Sequence, residues 1–260
     1  MSPVAIPRFF AGLLALGLLL SGGTPLNAGK AKEERIHSAF ARKLDAIQFD
    51  PRGFHRFCQR HPDLFPSGEY EKWVKVRKEK LRLEDGSEVS VGAAYSQVFI
   101  PASMERVIRY LESPEWFRDL YDLDADARWG HGPNTGDGCF QARIFKRVPL
   151  LPDQDFVLGF SRVWHRDVWY QRGRLVKDRK AFALRDNLKI LTPFDGGVVY
   201  REISLVYPMR WWARMMGPTF RKVMRREVRR MLGVLRCVIS AGPVPERQRT
   251  MACWENARRD

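Results

Sequence analysis

Histidine and cysteine are scarce in this chain, with five and four copies among 260 residues. His37, His55, His61, His131 and His165 stand apart from one another, and Cys58, Cys139, Cys237 and Cys253 form no CxxC pair. Zinc sites draw on closely spaced Cys and His ligands, so no metal is expected. A glycine-rich phosphate loop is absent, as are βαβ alternation and any internal repeat, which argues against nucleotide-binding α/β folds and solenoids. The close carboxylates, Asp124 with Asp126 and Asp153 with Asp155, sit in loop-like or proline-rich sequence and read as loop caps. No nucleophile, base and orienting group form a recognisable set, so neither catalysis nor a cofactor is expected.

Long apolar runs are also lacking. The most apolar segment, Phe9 to Leu20, follows Arg8 and is too short to span a bilayer, but it suits the core of a signal peptide. Leu26-Asn27-Ala28 offers a small-residue cleavage site, so residues 1–28 read as a signal and the chain as exported, to the periplasm or outside the cell. An uncleaved signal acting as a membrane anchor is the alternative. No Cys follows the run, which disfavours a lipoprotein anchor. Export would permit one or two disulfides, with the pairing open.

Positive charge is plentiful. Lys and Arg number 45 against 30 Asp and Glu, a formal net charge of +15. Such a field favours anionic partners, namely nucleic acid, an anionic membrane surface or an acidic protein. Nucleic acid is disfavoured by the export signal and by the lack of a recognised reading module.

Along the chain, residues 29–69 predict an N-terminal helical extension. Ile36, Phe40, Leu44 and Ile47 mark one amphipathic helix, and Phe54, Phe57 and Cys58 a second. A strand pair follows, turning at Asp85-Gly86, with Val89, Val91, Ala93, Tyr95 and Gln97 in period two. Ser103 can cap a helix carrying Val107, Ile108 and Leu111, and Ser113-Pro114 restarts another with Trp116 and Phe117. Gly136-Asp137-Gly138 and Asp195-Gly196-Gly197 mark turns among antiparallel strands expected at 139–148, 156–165, 180–185, 189–192 and 198–207. A long helix runs from Pro218 to about Ser240, and residues 243–260 read as a basic, mobile tail.

This order resembles the START domain and the wider helix-grip (START-like) superfamily over residues 70–242. The most specific segment is Lys146-Arg147-Val148-Pro149-Leu150-Leu151-Pro152-Asp153-Gln154-Asp155-Phe156-Val157, similar to the START pattern of a proline-rich turn followed by Arg-Asp-Phe-Val. Gln154 stands where that Arg is usual. The resemblance implies an α+β helix-grip fold, with a curved antiparallel sheet around a long C-terminal helix. It also implies an apolar cavity for a lipid or other large apolar ligand, gated by that helix and needing no cofactor. A superfamily enzyme of cyclase or hydrolase type, acting on a hydrophobic substrate, is the alternative. A monomer is expected.

In the C-terminal helix, Phe220, Val223, Met224, Val228, Met231 and Leu235 share an apolar face with Leu232, Val234, Val238 and Ile239. They are candidates to line the cavity; ordinary core packing is the competing reading. Glu227 falls within that face. A buried carboxylate needs a partner, and Arg201 and Arg143 are candidates to meet it in the cavity, unless Glu227 merely bridges to Arg230. Lys222, Arg225, Arg226, Arg229, Arg230 and Arg236 form the opposite, basic face. With Trp211 and Trp212 beside Arg210 and Arg214, Arg225 and Arg229 are candidates for a membrane contact or gate.

Overall fold

The computed structural model describes residues 26–50, 52–68, 70, 72–113, 126–130, 139–146, 154–178, 183–208, 217–240 and 253. Helix α1 spans Leu26–Gln48 and α2 Gly53–Arg60; strands β1 (Trp73–Arg82) and β2 (Glu88–Ile100) follow, then α3 (Met104–Leu111). Six further strands come next: β3 (Asp126–Gly130), β4 (Cys139–Lys146), β5 (Gln154–His165), β6 (Val168–Asp178), β7 (Ala183–Phe194) and β8 (Gly197–Pro208). Helix α4, Gly217–Ser240, closes the order. All eight strands form one sheet in the order β1-β2-β8-β7-β6-β5-β4-β3, antiparallel at each neighbouring pair. This is the α+β helix-grip arrangement expected from the sequence.

Local chemistry accounts for most boundaries. In α1, Ile36, Phe40, Leu44 and Ile47 recur one turn apart and are all buried. Gly53 opens α2 where a Cβ would come within 2.5 Å of the Ala46 carbonyl oxygen, so only glycine lets the two helices meet so closely. The β1–β2 turn places Gly86 at φ 80°, a left-handed conformation that glycine adopts without steric cost. The Ser103 side chain accepts a hydrogen bond from the Arg106 amide at 3.3 Å and so caps α3.

Because strand residues alternate between faces and cross-strand partners share one, the sheet has an outer and an inner side. On the outer side lie α1 and α2. There Tyr95 stacks on Phe57 with ring centroids 6.0 Å apart and meets Phe65 edge-on. Arg172 grips Asp186 through two bonds of 3.0 and 2.6 Å and reaches Asp45 of α1, while Lys43 of α1 pairs with Glu79 of β1. Burial pushes the Glu79 carboxyl up, but its bonds from Lys43, Tyr95 and Arg77 outweigh this and hold it below the usual range. The N-terminal extension is therefore clamped to the sheet by ion pairs as well as apolar contacts. On the inner side α4 lies across β1 and β2, with α3 between α4 and β8. Val74, Val76, Ala94 and Val98 are buried there, opposite Leu232, Val234, Leu235, Val238 and Ile239.

Several expectations need correction. The segments 180–185 and 189–192 are one continuous strand, β7, and β6 is a strand where none was expected. The β5–β6 turn carries Arg166 at φ 57° in place of Gly or Asn, so the usual punctuation is missing. The strand runs on through Asp186 and Asn187, where Arg172 binds the first and Glu202 accepts a hydrogen bond from the second. The 243–260 tail is not free throughout: Cys253 is buried and joined by a disulfide to Cys237 of α4. The signal expected at 1–28 lies outside the described residues apart from 26–28, where α1 begins. The helix expected after Ser113-Pro114, the turn at 136–138 and most of the proline-rich segment at 147–153 lie outside the described residues.

Candidate functional site

The inner face carries a polar patch inside apolar surroundings. Three rows of cross-strand partners build it across β6, β7 and β8: Trp169, Leu191 and Tyr200; Gln171, Lys189 and Glu202; Gly173, Asn187 and Ser204. Ser96 of β2 extends the middle row beside Glu202. Trp169, Gln171, Leu191 and Lys189 are fully shielded from solvent, and Tyr200 and Asn187 nearly so.

Lys189 is the centre of the patch. Its Nζ donates to Gln171 Oε1 at 2.7 Å and stands 5.2 Å from the centroid of the Phe160 ring, within cation–π range. Burial drives its pKa down to about 7, against the pull of the nearby Glu202 carboxylate, so the amine titrates near neutrality. Glu202 accepts three hydrogen bonds, from Asn187 Nδ2 at 2.7 Å, Tyr200 Oη at 2.6 Å and Ser204 Oγ at 2.9 Å. Gly173 makes this packing possible. A Cβ there would lie 2.3 Å from Asn187 Oδ1 and 2.9 Å from the Phe160 ring, so any larger residue would displace the amide, the ring or both.

Two donors in the patch lack partners. The Trp169 indole N–H and the Gln171 amide nitrogen are buried without a hydrogen-bond partner among the described residues. Such groups are costly to leave unpaired and mark a place for a ligand acceptor or an ordered water.

Over this face, α4 changes character along its length. Leu232, Val234, Leu235, Val238 and Ile239 are buried, whereas Met224, Val228 and Met231 are only half-buried, although they pack against the core. The disulfide anchors the buried end at Cys237. Across the sheet, the Arg162 guanidinium of β5 bonds both oxygens of Glu112 at 2.5 and 2.7 Å, tying β5 to the end of α3.

The candidates from the sequence are distributed differently. Arg201 is corrected: it sits on the outer face, opposite the one that carries α4. Its guanidinium bonds Thr192 Oγ1 at 2.7 Å and Gln97 Oε1 at 3.3 Å and lies over the Phe54 and Tyr70 rings at 5.5 and 5.7 Å. Strand alternation is the reason, since Arg201 and Glu202 must point to opposite sides and it is Glu202 that faces inward. Arg143 lies on β4, four strands from β8. Its side chain and those of Phe220, Val223 and Glu227 lie outside the described residues, as do Trp211 and Trp212. Arg225 and Arg229 are exposed on α4, together with Lys222 and Arg226.

Lys189, Glu202, Gln171 and Trp169 were not among the sequence candidates. A signal was available: Asn187 with Lys189, and Glu202 with Ser204, place polar residues at i and i+2, on one face of each strand. Among the described residues there is no group of His, Cys, Asp and Glu that could hold a metal ion, and no helix long and apolar enough to cross a membrane.

No family model and no curated protein matches the chain. Among solved structures, the lipid transfer and protein localization domain of human StarD13 is similar at 13% identity over 74% of this chain and 97% of that one, with TM-score 0.46. A STAR-related lipid transfer protein fragment from Xanthomonas axonopodis aligns at 16% identity over 60% and 98% of the two chains, with TM-score 0.38. Human StAR-related lipid transfer protein 5 aligns at 8% identity over 78% and 97%, with TM-score 0.39.

Proposed function

We propose that the protein holds a lipid or another large apolar ligand between the inner face of the sheet and α4, and releases it unchanged. The observation that carries this reading is the buried patch around Lys189, where the Gln171 amide nitrogen and the Trp169 indole N–H have no hydrogen-bond partner among the described residues. A ligand pocket is typically apolar with a few placed polar groups. The half-buried stretch from Met224 to Met231 supports α4 as the gate. Its N-terminal half moves, while Leu235, Ile239 and the disulfide hold the other end, and the flexible Met side chains adapt to a pliable ligand.

The exposed Lys222, Arg225, Arg226 and Arg229 would seat that gate on an anionic bilayer, each worth about 1 kcal/mol near the surface. Trp211 and Trp212 are proposed to enter the headgroup region beside them. Export through the N-terminal signal agrees with the Cys237–Cys253 disulfide, since such bonds persist in oxidising compartments.

Native mass spectrometry of the mature protein from its own host, followed by lipid extraction, tests the proposal. A co-purifying lipid at one per protein is the expected result. No bound molecule, even after incubation with mixed membrane lipids, would refute it.

A further inference from the structure

We infer that Lys189 captures a long-chain aldehyde covalently, as an imine held between the sheet and α4. This rests on the ligand-binding reading above and adds a reaction at the same site.

Placement comes first. Lys189 is the only buried lysine among the described residues, and it lies on the sheet face that carries α4. Burying an amine in apolar surroundings is costly in its charged form. The groups around it form one cross-strand row, with Arg162, Gln171, Lys189 and Glu202 side by side on β5, β6, β7 and β8. Arg162 is engaged by both oxygens of Glu112 at the end of α3. Glu202 is therefore the carboxylate that stands beside the amine, fixed in place by donors from Asn187, Tyr200 and Ser204.

Reactivity follows from placement. Only a neutral amine is a nucleophile. Burial brings the Lys189 pKa down to about 7. Close to half of it is then neutral at pH 7, whereas an exposed lysine is almost all ammonium there. Buried lysines tuned in this way are the ones that form Schiff bases.

The step balances without a co-reactant. The Nζ lone pair attacks the aldehyde carbon, and the carbonyl π pair moves to oxygen. Both hydrogens of the amine then leave on that oxygen as water, and the new N–C bond becomes a C=N double bond. Nothing is oxidised or reduced. A proton taken up by the imine gives a cation whose N–H can go on donating to Gln171 Oε1, beside Glu202 and within cation–π range of Phe160. An aldehyde suits the site because its carbon carries one chain and one hydrogen. The second carbon branch of a ketone would press on the Phe160 ring beside Nζ. Water admitted when α4 opens reverses the step and returns the aldehyde unchanged.

The test incubates the full-length mature protein with hexadecanal at pH 7, with sodium cyanoborohydride to convert any imine to a stable secondary amine. Intact mass and peptide mapping then count and place the alkyl groups. The expected result is one alkyl group per protein on Lys189, gained at least about tenfold faster than on any exposed lysine, because its neutral fraction is far larger. Lys189→Met should lose the fast phase; should that variant fail to fold, the mapping of the wild type decides alone. Alkylation of exposed lysines or of the N-terminal amine, with Lys189 no faster, would overturn the inference. So would a fast phase that persists in Lys189→Met. Hexadecanol, which forms no imine, separates this inference from the reading beneath it. Hexadecanol bound one to one in native mass spectrometry, with Lys189 left unalkylated by hexadecanal, would overturn the capture and leave ligand binding intact. Failure of both molecules to bind would overturn the ligand-binding reading, and this inference with it.

Discussion

Lys189 shows how one residue can tie stability to pH. Its amine is buried on the inner face, where desolvation lowers its pKa to about 7 from an ordinary 10.5. Below pH 7 the amine is protonated in both the folded and unfolded chains, and the folded state carries the full cost of burying the charge. Between 7 and 10.5 the unfolded chain binds the extra proton, so stability rises with pH across that window. Cys58 acts in the opposite direction at higher pH, because burial raises its thiol from 9.0 to about 11. Urea unfolding measured between about pH 7 and 8.5 isolates the Lys189 effect. The wild type should gain stability by more than 1 kcal/mol over that span, and Lys189→Met should remove most of the slope. An unchanged slope in the variant would show that Lys189 does not cause it.

At the scale of the element, α4 is held at one end and loosely packed at the other. Its last turns are buried and carry Cys237, whose disulfide to Cys253 closes a sequence separation of 16 residues. Closing a loop of that size restricts the unfolded chain by about 3 kcal/mol. Cys253→Ser should lower the unfolding free energy by about that amount, and dithiothreitol should do the same to the wild type but nothing further to the variant. Equal stability of all three samples would show that the bridge does not constrain this chain. The same bridge explains why Cys253 is buried although the sequence around it is rich in Arg and Gly-Pro punctuation: a covalent link to a core helix outweighs local composition.

For the whole molecule, part of the basic excess lies in an exposed stripe on α4 formed by Lys222, Arg225, Arg226 and Arg229. Vesicles containing an anionic phospholipid should bind the protein, more weakly as salt is raised, because exposed charges are screened beyond about a Debye length. Arg225→Glu with Arg229→Glu should weaken that binding by at least tenfold, leaving affinity for a detergent-dispersed ligand unchanged. Binding to neutral vesicles that matches binding to anionic ones would remove the membrane role. The ion pairs from α1 to Glu79 and Arg172 make the N-terminal extension part of the same folded body.

Order of elements and their amphipathic faces were legible in the sequence because they depend on local periodicity. The 3.6-residue spacing of Ile36, Phe40, Leu44 and Ile47, the Asp85-Gly86 turn, the Ser103 cap and the apolar stripe of α4 need no distant partner to be read. Arg201 and Lys189 mark the limit. Each is a cation within a strand, and which one lies on the face that carries α4 depends on strand register, which long-range pairing decides. Strand β6 and the continuity of β7 depended on Arg172 meeting Asp186 and on Asn187 meeting Glu202. Those contacts compensate residues that look like breakers when taken alone. The chain itself determined which segments could become helix or strand. Only the tertiary structure decided which polar side chains share a buried face, because that follows from pairing residues far apart in the sequence.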